Sequence, residues 1–239
     1  MSKVSIQDGP ESFDVTLLEA EHPTRVVLFA VGGGGNPERH LPLLTSLAER
    51  GAAVVAPHFE RLGSNAPSES ELLMRARRLT LALDAVAHKH LAVVGVGHSI
   101  GAMMLLALAG GKPWMRSGQP LAIAPAPRLE RLVLLAAPTG YFQGPGAMND
   151  VHTPILAWAG THDSMTPPEQ TEFLRDALAP RVPVEVRITE GAGHFTFLNT
   201  PPPQVAEPHP NRDAFLAELA AEVGRYVMRT TVGTETHSN

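Results

Sequence analysis

The chain has 239 residues, carries 19 Lys and Arg against 24 Asp and Glu for a formal charge of −5, and contains no cysteine. That length suits one α/β domain with a full-sized core; the missing cysteines exclude disulfides, thiolate nucleophiles and cysteine metal sites, and the missing basic run argues against nucleic acid. The opening MSKVSIQDGPESFDV lacks the apolar core of a signal peptide and no apolar run approaches about 18 residues, so a soluble cytoplasmic protein with no membrane partner is expected.

In chain order, 13–20 alternates weakly and predicts a first strand near an edge, and 25–31 (RVVLFAV) is a continuous apolar run fitting a buried parallel strand. Four glycines, 32–35, lead to Asn36 and Pro37, an N-cap and a first helical residue for a helix through Leu43, Leu44, Leu47 and Ala48 that Gly51 ends. A strand at 52–56 and a polar loop at 57–69 come next. A helix over 70–88 then aligns Leu72, Leu73, Ala76, Leu79, Leu83 and Val86 on one stripe. Strands at 91–96, 132–136, 155–159 and 182–188 and helices at 168–179 and 211–228 complete the series. Segment 111–130 is Pro-rich and irregular, and the tail from Thr230 is polar. Strands alternating with helices predict an α/β fold: a mostly parallel sheet of about seven strands, covered by helices on both faces.

The most informative stretch is Val93 to Gly101, where an apolar strand runs into Gly97-His98-Ser99-Ile100-Gly101 and on into a helix. A sharp strand-to-helix turn leaves no room for bulk two positions either side of its central residue, and Gly97 and Gly101 meet that demand. Such a turn lifts the Ser99 hydroxyl above the sheet beside free N–H groups at the start of the helix, where a developing oxyanion would be stabilised.

In a parallel sheet the loops after strands gather along one edge, here 32–36, 57–69, 138–153, 160–167 and 189–210. Segment 111–130 follows a helix and belongs to the far side, which makes Trp114 packing or contact surface. A serine needs a base to take its proton, and among 11 histidines His194, after the seventh strand and preceded by Gly191-Ala192-Gly193, is placed for it. His58, His152, His162 and His209 lie in loops on the same edge and are its rivals. For His22, His40, His88, His90 and His237 a solvated surface role is expected. The acid that would orient the imidazole is Asp163, directly after the sixth strand, with Asp150 as the alternative. Ser99, Asp163 and His194 follow one another as nucleophile, acid and base, each after its own strand.

On these motifs the chain resembles the α/β-hydrolases over residues 13–228, and the dienelactone-hydrolase-like branch in its compactness. The resemblance implies a single domain with Ser99 as nucleophile, His194 as general base and acid, Asp163 as its orienting acid, and an oxyanion hole from the N–H groups of Ile100 and Gly33. Dienelactone hydrolases proper carry cysteine where Ser99 stands, so their substrate is not inherited, and Val31 stands where a histidine often precedes the family's glycines. The short loop 138–153 excludes a large lid. Its Tyr141, Phe142 and Met148, with Phe59, Phe195 and Phe197, are candidates to line a modest apolar pocket.

The expected function is hydrolysis of a small ester, thioester or lactone through an acyl-enzyme, with a small acyl substrate as partner and neither cofactor nor metal. Carbon–carbon bond hydrolysis, acyl transfer and non-catalytic ligand binding are the alternatives on the same scaffold. A phosphate cradle at 32–35 is disfavoured, since no Gly-Lys-Ser/Thr follows. A homodimer stays open.

Overall fold

The computed structural model describes residues 1–64, 66–85, 88–206 and 208–230. Val86 of the expected stripe, His237 and the tail from 231 onward lie outside the described residues. Eight strands form one sheet: β1 (Ser2–Asp8), β2 (Glu11–Leu18), β3 (Arg25–Ala30), β4 (Ala52–Pro57), β5 (Val93–His98), β6 (Leu129–Leu135), β7 (Ile155–Gly160) and β8 (Val184–Thr189). Their spatial order is β1-β2-β4-β3-β5-β6-β7-β8. The β1–β2 and β2–β4 pairs are antiparallel and every other pair is parallel.

The sheet thus has one strand more than expected. β1 is exposed along most of its length, so it carries no apolar run to announce it, and it is held as the outer arm of a hairpin turned at Gly9, whose φ is +64°. Charge fastens this hairpin to the body. Asp8 accepts from Arg77 Nε at 2.5 Å and Arg78 Nε at 2.9 Å, while Arg78 also reaches Glu11 at 2.6 Å. Those bonds to Arg77 and Arg78 hold the Asp8 carboxyl down at about 2 against the cost of its burial.

Alternate residues of each inner strand feed two separate cores, as a pleated strand buried on both faces requires. Val26, Leu28 and Ala30 of β3 face one and Val27 and Phe29 the other. The first core is covered by α2 (Glu69–Asp84), α3 (Ile100–Leu108) and α4 (Pro168–Leu178), the second by α1 (Leu41–Glu49) and α5 (Arg212–Met228). No described helix is long and apolar enough to cross a membrane.

Three local features matter for the site. The helix expected from Pro37 begins as a 3₁₀ turn, Pro37–His40, with the Asn36 side chain accepting from the Glu38 N–H at 2.9 Å. That turn swings His40 inward, where it is fully buried rather than solvated. In α2, capped by a reciprocal Ser68–Glu71 box, the expected stripe is buried at Leu72, Ala76, Leu79 and Leu83 but departs at one position and takes in two arginines. Leu73 is 39 % exposed, whereas Arg75 and Arg78 are buried. Between β6 and β7 the chain makes only a 3₁₀ turn, Thr139–Phe142, in place of a crossover helix. Trp114 has the expected packing role, but it packs on this connection after β6 and not on the far side expected for segment 111–130: its backbone N–H donates to Tyr141 O at 2.6 Å, and a Cβ on Gly144 would lie 2.3 Å from its ring.

The β5–α3 junction is tightly packed. A Cβ on Gly97 would meet Ala102 N at 2.8 Å, and one on Gly101 would lie 2.0 Å from Ala30 O and 2.7 Å from Val31 O. Gly101→Ala therefore forces backbone apart and should lower the unfolding free energy by about 3 kcal/mol. Gly140→Ala, where a Cβ meets nothing within 4 Å, should change it by less than about 0.5 kcal/mol. Urea unfolding of the two variants checks this, and equal stabilities would contradict the packing argument.

Candidate active site

Ser99 lies between β5 and α3 with φ 54° and ψ −128°, a conformation that L-residues rarely adopt and that surrounding packing must impose. The expected turn is present, with Gly97 and Gly101 in the two roles assigned to them. The first intrahelical bond of α3 runs from Met103 N to Ser99 O, which leaves the N–H groups of Ile100, Gly101 and Ala102 without an acceptor inside the helix.

The structure brings Ser99, His194 and Asp163 into one hydrogen-bonded line. His194 Nε2 is 2.9 Å from Ser99 Oγ, and His194 Nδ1 is 2.8 Å from Asp163 Oδ2. Since carboxylate oxygen only accepts, Nδ1 carries the proton and Nε2 is left free to accept from the serine. Asp163 is tied down further. The N–H groups of Met165 and Thr166 donate to its Oδ1 at 2.8 Å, and the Thr166 hydroxyl donates to Oδ2 at 2.6 Å. Burial pushes the Asp163 carboxyl up, but the bonds from His194 and Thr166 outweigh it and keep the group below the usual carboxylate range. The arrangement can take a proton from Ser99 while holding the resulting imidazolium against a fixed negative charge.

The remaining candidates fall elsewhere. Asp150 pairs with Lys112 at 2.7 Å on the surface, as its turn position suggested. Of the rival histidines, His58 bonds Thr16 Oγ1 at 2.7 Å, His209 stacks on Phe215, and His152 and His162 are exposed. Phe142 and Met148 are buried in the first core and Phe197 in the second, so packing accounts for these three. Phe59 and Tyr141 are half-buried, and the half-buried Phe195 sets its ring 5.2 Å from that of His194.

The glycine loop after β3 stands beside the serine. A Cβ on Gly32 would lie 3.3 Å from Ser99 Cβ and 3.1 Å from His98 Nδ1. The tight turn at Gly35 (φ +78°) closes with Gly35 N donating to Gly32 O at 3.1 Å. Among the described residues no group of three or more His, Asp or Glu side chains is disposed to hold a metal ion.

Sequence reasoning did not single out the supporting polar side chains. Thr166, three residues beyond Asp163, closes a turn by bonding back to it, a local pattern common to Asp and Thr in loops. His98, inside the pentapeptide itself, donates from Nε2 to His194 O at 2.9 Å. Its ring is 5.0 Å from that of His194 and 5.4 Å from that of His40, which in turn meets Phe29 at 4.9 Å. Burial, with smaller contributions from the neighbouring histidines, holds His98 far below its ordinary 6.5, and burial holds His40 at about 3.

No family model matches the sequence, and neither does any curated protein. Solved structures do match. A serine hydrolase homologue from Coxiella burnetii is 18 % identical with a TM-score of 0.65, over 95 % of this chain and 97 % of that one. An esterase from Pyrococcus furiosus is 13 % identical with a TM-score of 0.66, over 94 % and 90 %. A dienelactone hydrolase from Anabaena variabilis is 22 % identical with a TM-score of 0.64, over 95 % and 98 %. What the chain shares with them is the fold, and it has the α/β-hydrolase fold that its motifs resemble.

The buried histidines make stability depend on pH. Below about 6.5 the unfolded imidazoles take up protons that folded His40 and His98 do not bind, so the stabilisation present at neutral pH is lost as pH falls from 6.5 toward 3. Urea midpoints should drop between about pH 7.5 and about pH 5, and drop less for His40→Leu; an identical pH dependence in the variant would contradict the assignment.

Proposed function

We propose that the chain is a serine hydrolase of small carboxylic esters, thioesters or lactones. The observation that carries this reading is the line Ser99–His194–Asp163, with hydrogen bonds of 2.9 and 2.8 Å, ending on a serine held at positive φ. A strained serine turn with a buried imidazole and a buried carboxylate behind it has no packing purpose that an apolar turn would not serve better.

In this mechanism Ser99 Oγ attacks the substrate carbonyl as His194 Nε2 takes its proton. The oxyanion is received by the N–H groups of Ile100 and Gly33, fixed before the reaction and therefore costing no reorganisation during it. His194 then protonates the departing alcohol, thiol or ring oxygen, leaving the acyl group on Ser99. Water enters, loses a proton to the same nitrogen, attacks the ester and releases the acid. Asp163 keeps its negative charge throughout, and the chemistry requires no cofactor.

Substrate size follows from what stands over the serine. Only the four-residue 3₁₀ turn Thr139–Phe142 follows β6, which leaves no helical lid to enclose a long chain. Phe195, Phe59 and Tyr141, the expected pocket residues that are only half-buried, offer modest apolar surface suited to a short acyl group. The names of the matching structures, a serine hydrolase homologue, an esterase and a dienelactone hydrolase, agree with this class.

The wild-type protein should hydrolyse p-nitrophenyl acetate and butyrate, and Ser99→Ala should lower kcat by about 10⁶-fold, leaving only the residual catalysis of the oxyanion hole and binding. Its urea midpoint should stay close to that of the wild type. Equal turnover by the variant would overturn the mechanism.

A further inference from the structure

Arg75 is among the largest fully buried side chains of the protein, yet it has no ion-pair partner among the described residues. Its bonds go to carbonyl groups: one terminal nitrogen donates to Gly32 O at 3.3 Å and Val31 O at 3.5 Å, the other to Glu60 O at 2.9 Å. The guanidinium lies over the Phe59 ring with its carbon 4.6 Å from the centroid. A buried cation satisfied only by neutral dipoles is expensive, and an apolar side chain of similar volume would usually serve stability as well or better. The cost is visible in the group itself, whose pKa burial depresses to about 10 despite the helpful charge of Glu71.

What the arrangement does is fix a loop that cannot fix itself. Residues 32–35 are all glycine, the residue with the widest backbone freedom and no side chain to anchor it. In a trans peptide the C=O and N–H point in opposite directions. When Arg75 draws the Gly32 carbonyl toward α2, the N–H of Gly33 is turned the other way. The Gly32 carbonyl also accepts from Gly35 N at 3.1 Å, and the Gly33 carbonyl accepts from Leu62 N at 2.8 Å. Both lone pairs of the Gly32 oxygen are thereby used, and the peptide cannot rotate. Through Glu60 O the same guanidinium holds the 58–63 loop, whose Phe59 N donates to Gly35 O at 2.9 Å. Two loops of the serine's edge are clamped by one planar fork.

We propose that Arg75 is a positioning residue for the oxyanion hole: through the Val31 and Gly32 carbonyls it orients the N–H of Gly33 toward the oxygen that becomes negative when Ser99 attacks. The inference rests on the serine-hydrolase reading above and deepens it. Hydrogen bonds in series also polarise one another, so a cation on the carbonyl makes the amide on the other side of the peptide a better donor. The effect belongs to the transition state, because a neutral substrate carbonyl gains far less from a fixed donor than an oxyanion does.

The test compares wild type, Arg75→Met and Arg75→Lys on p-nitrophenyl acetate, with urea midpoints measured in parallel. Arg75→Met should lower kcat about 10- to 100-fold with KM within about twofold, the signature of an interaction made in the transition state. Lysine keeps the charge but is a point donor that cannot span three carbonyls, so Arg75→Lys should restore part of the loss. Unchanged kcat in folded Arg75→Met, or a change confined to KM or to the midpoint, overturns the proposal. Failure of both variants to fold also overturns it, in favour of a purely structural arginine. If instead the wild type itself does not hydrolyse the ester, it is the serine-hydrolase reading that falls.

Discussion

The approach of the start of α3 to the end of β3 is the constraint on which the rest of the structure depends. With no side chain at Gly101, the helix backbone comes within a distance of Ala30 and Val31 that a Cβ would forbid. That contact goes with the positive φ of Ser99 and sets the start of α3, with its free N–H groups, beside the end of β3. Everything else in the site is hung at the same edge. Asp163 follows β7 and His194 follows β8, so the sheet's own geometry delivers the carboxylate and the imidazole to the serine.

Around that line the protein keeps several polar groups buried and hydrogen-bonded beside its two apolar cores. His98 bonds the backbone of His194, Thr166 and two N–H groups hold Asp163, and Arg75 holds the glycine loop. Each such group costs desolvation, offset by hydrogen bonds whose directions then become rigid. The imidazoles of His40 and His98 remain neutral because burial disfavours their charged forms. The hairpin edge obeys the same rule, with Asp8 buried between two arginines.

The fold and the central line of the site were legible in the sequence because both rest on short-range patterns. Continuous apolar runs marked the inner strands, and glycines at fixed spacing marked the serine turn. The order of the three site residues was fixed by which strand each follows. What was not legible depends on tertiary context. β1 is an exposed arm without an apolar pattern, and its anchor is a set of ion pairs to α2. His40 was expected at the surface because nothing local reveals that Pro37 starts a 3₁₀ turn directed inward. Arg75 and Arg78 break the apolar stripe of α2, and their burial is explained only by the loop carbonyls and carboxylates that they meet. Phe142, Met148 and Phe197 lie on the correct loops, yet the two cores take them.

The central claim is that Ser99 is an activated nucleophile in a strained turn, and covalent capture tests it most directly. A fluorophosphonate incubated with the intact protein should add one adduct mass, and peptide mapping should place it on Ser99 alone among the serines. Absence of any adduct, or an adduct spread over surface serines, would contradict the account.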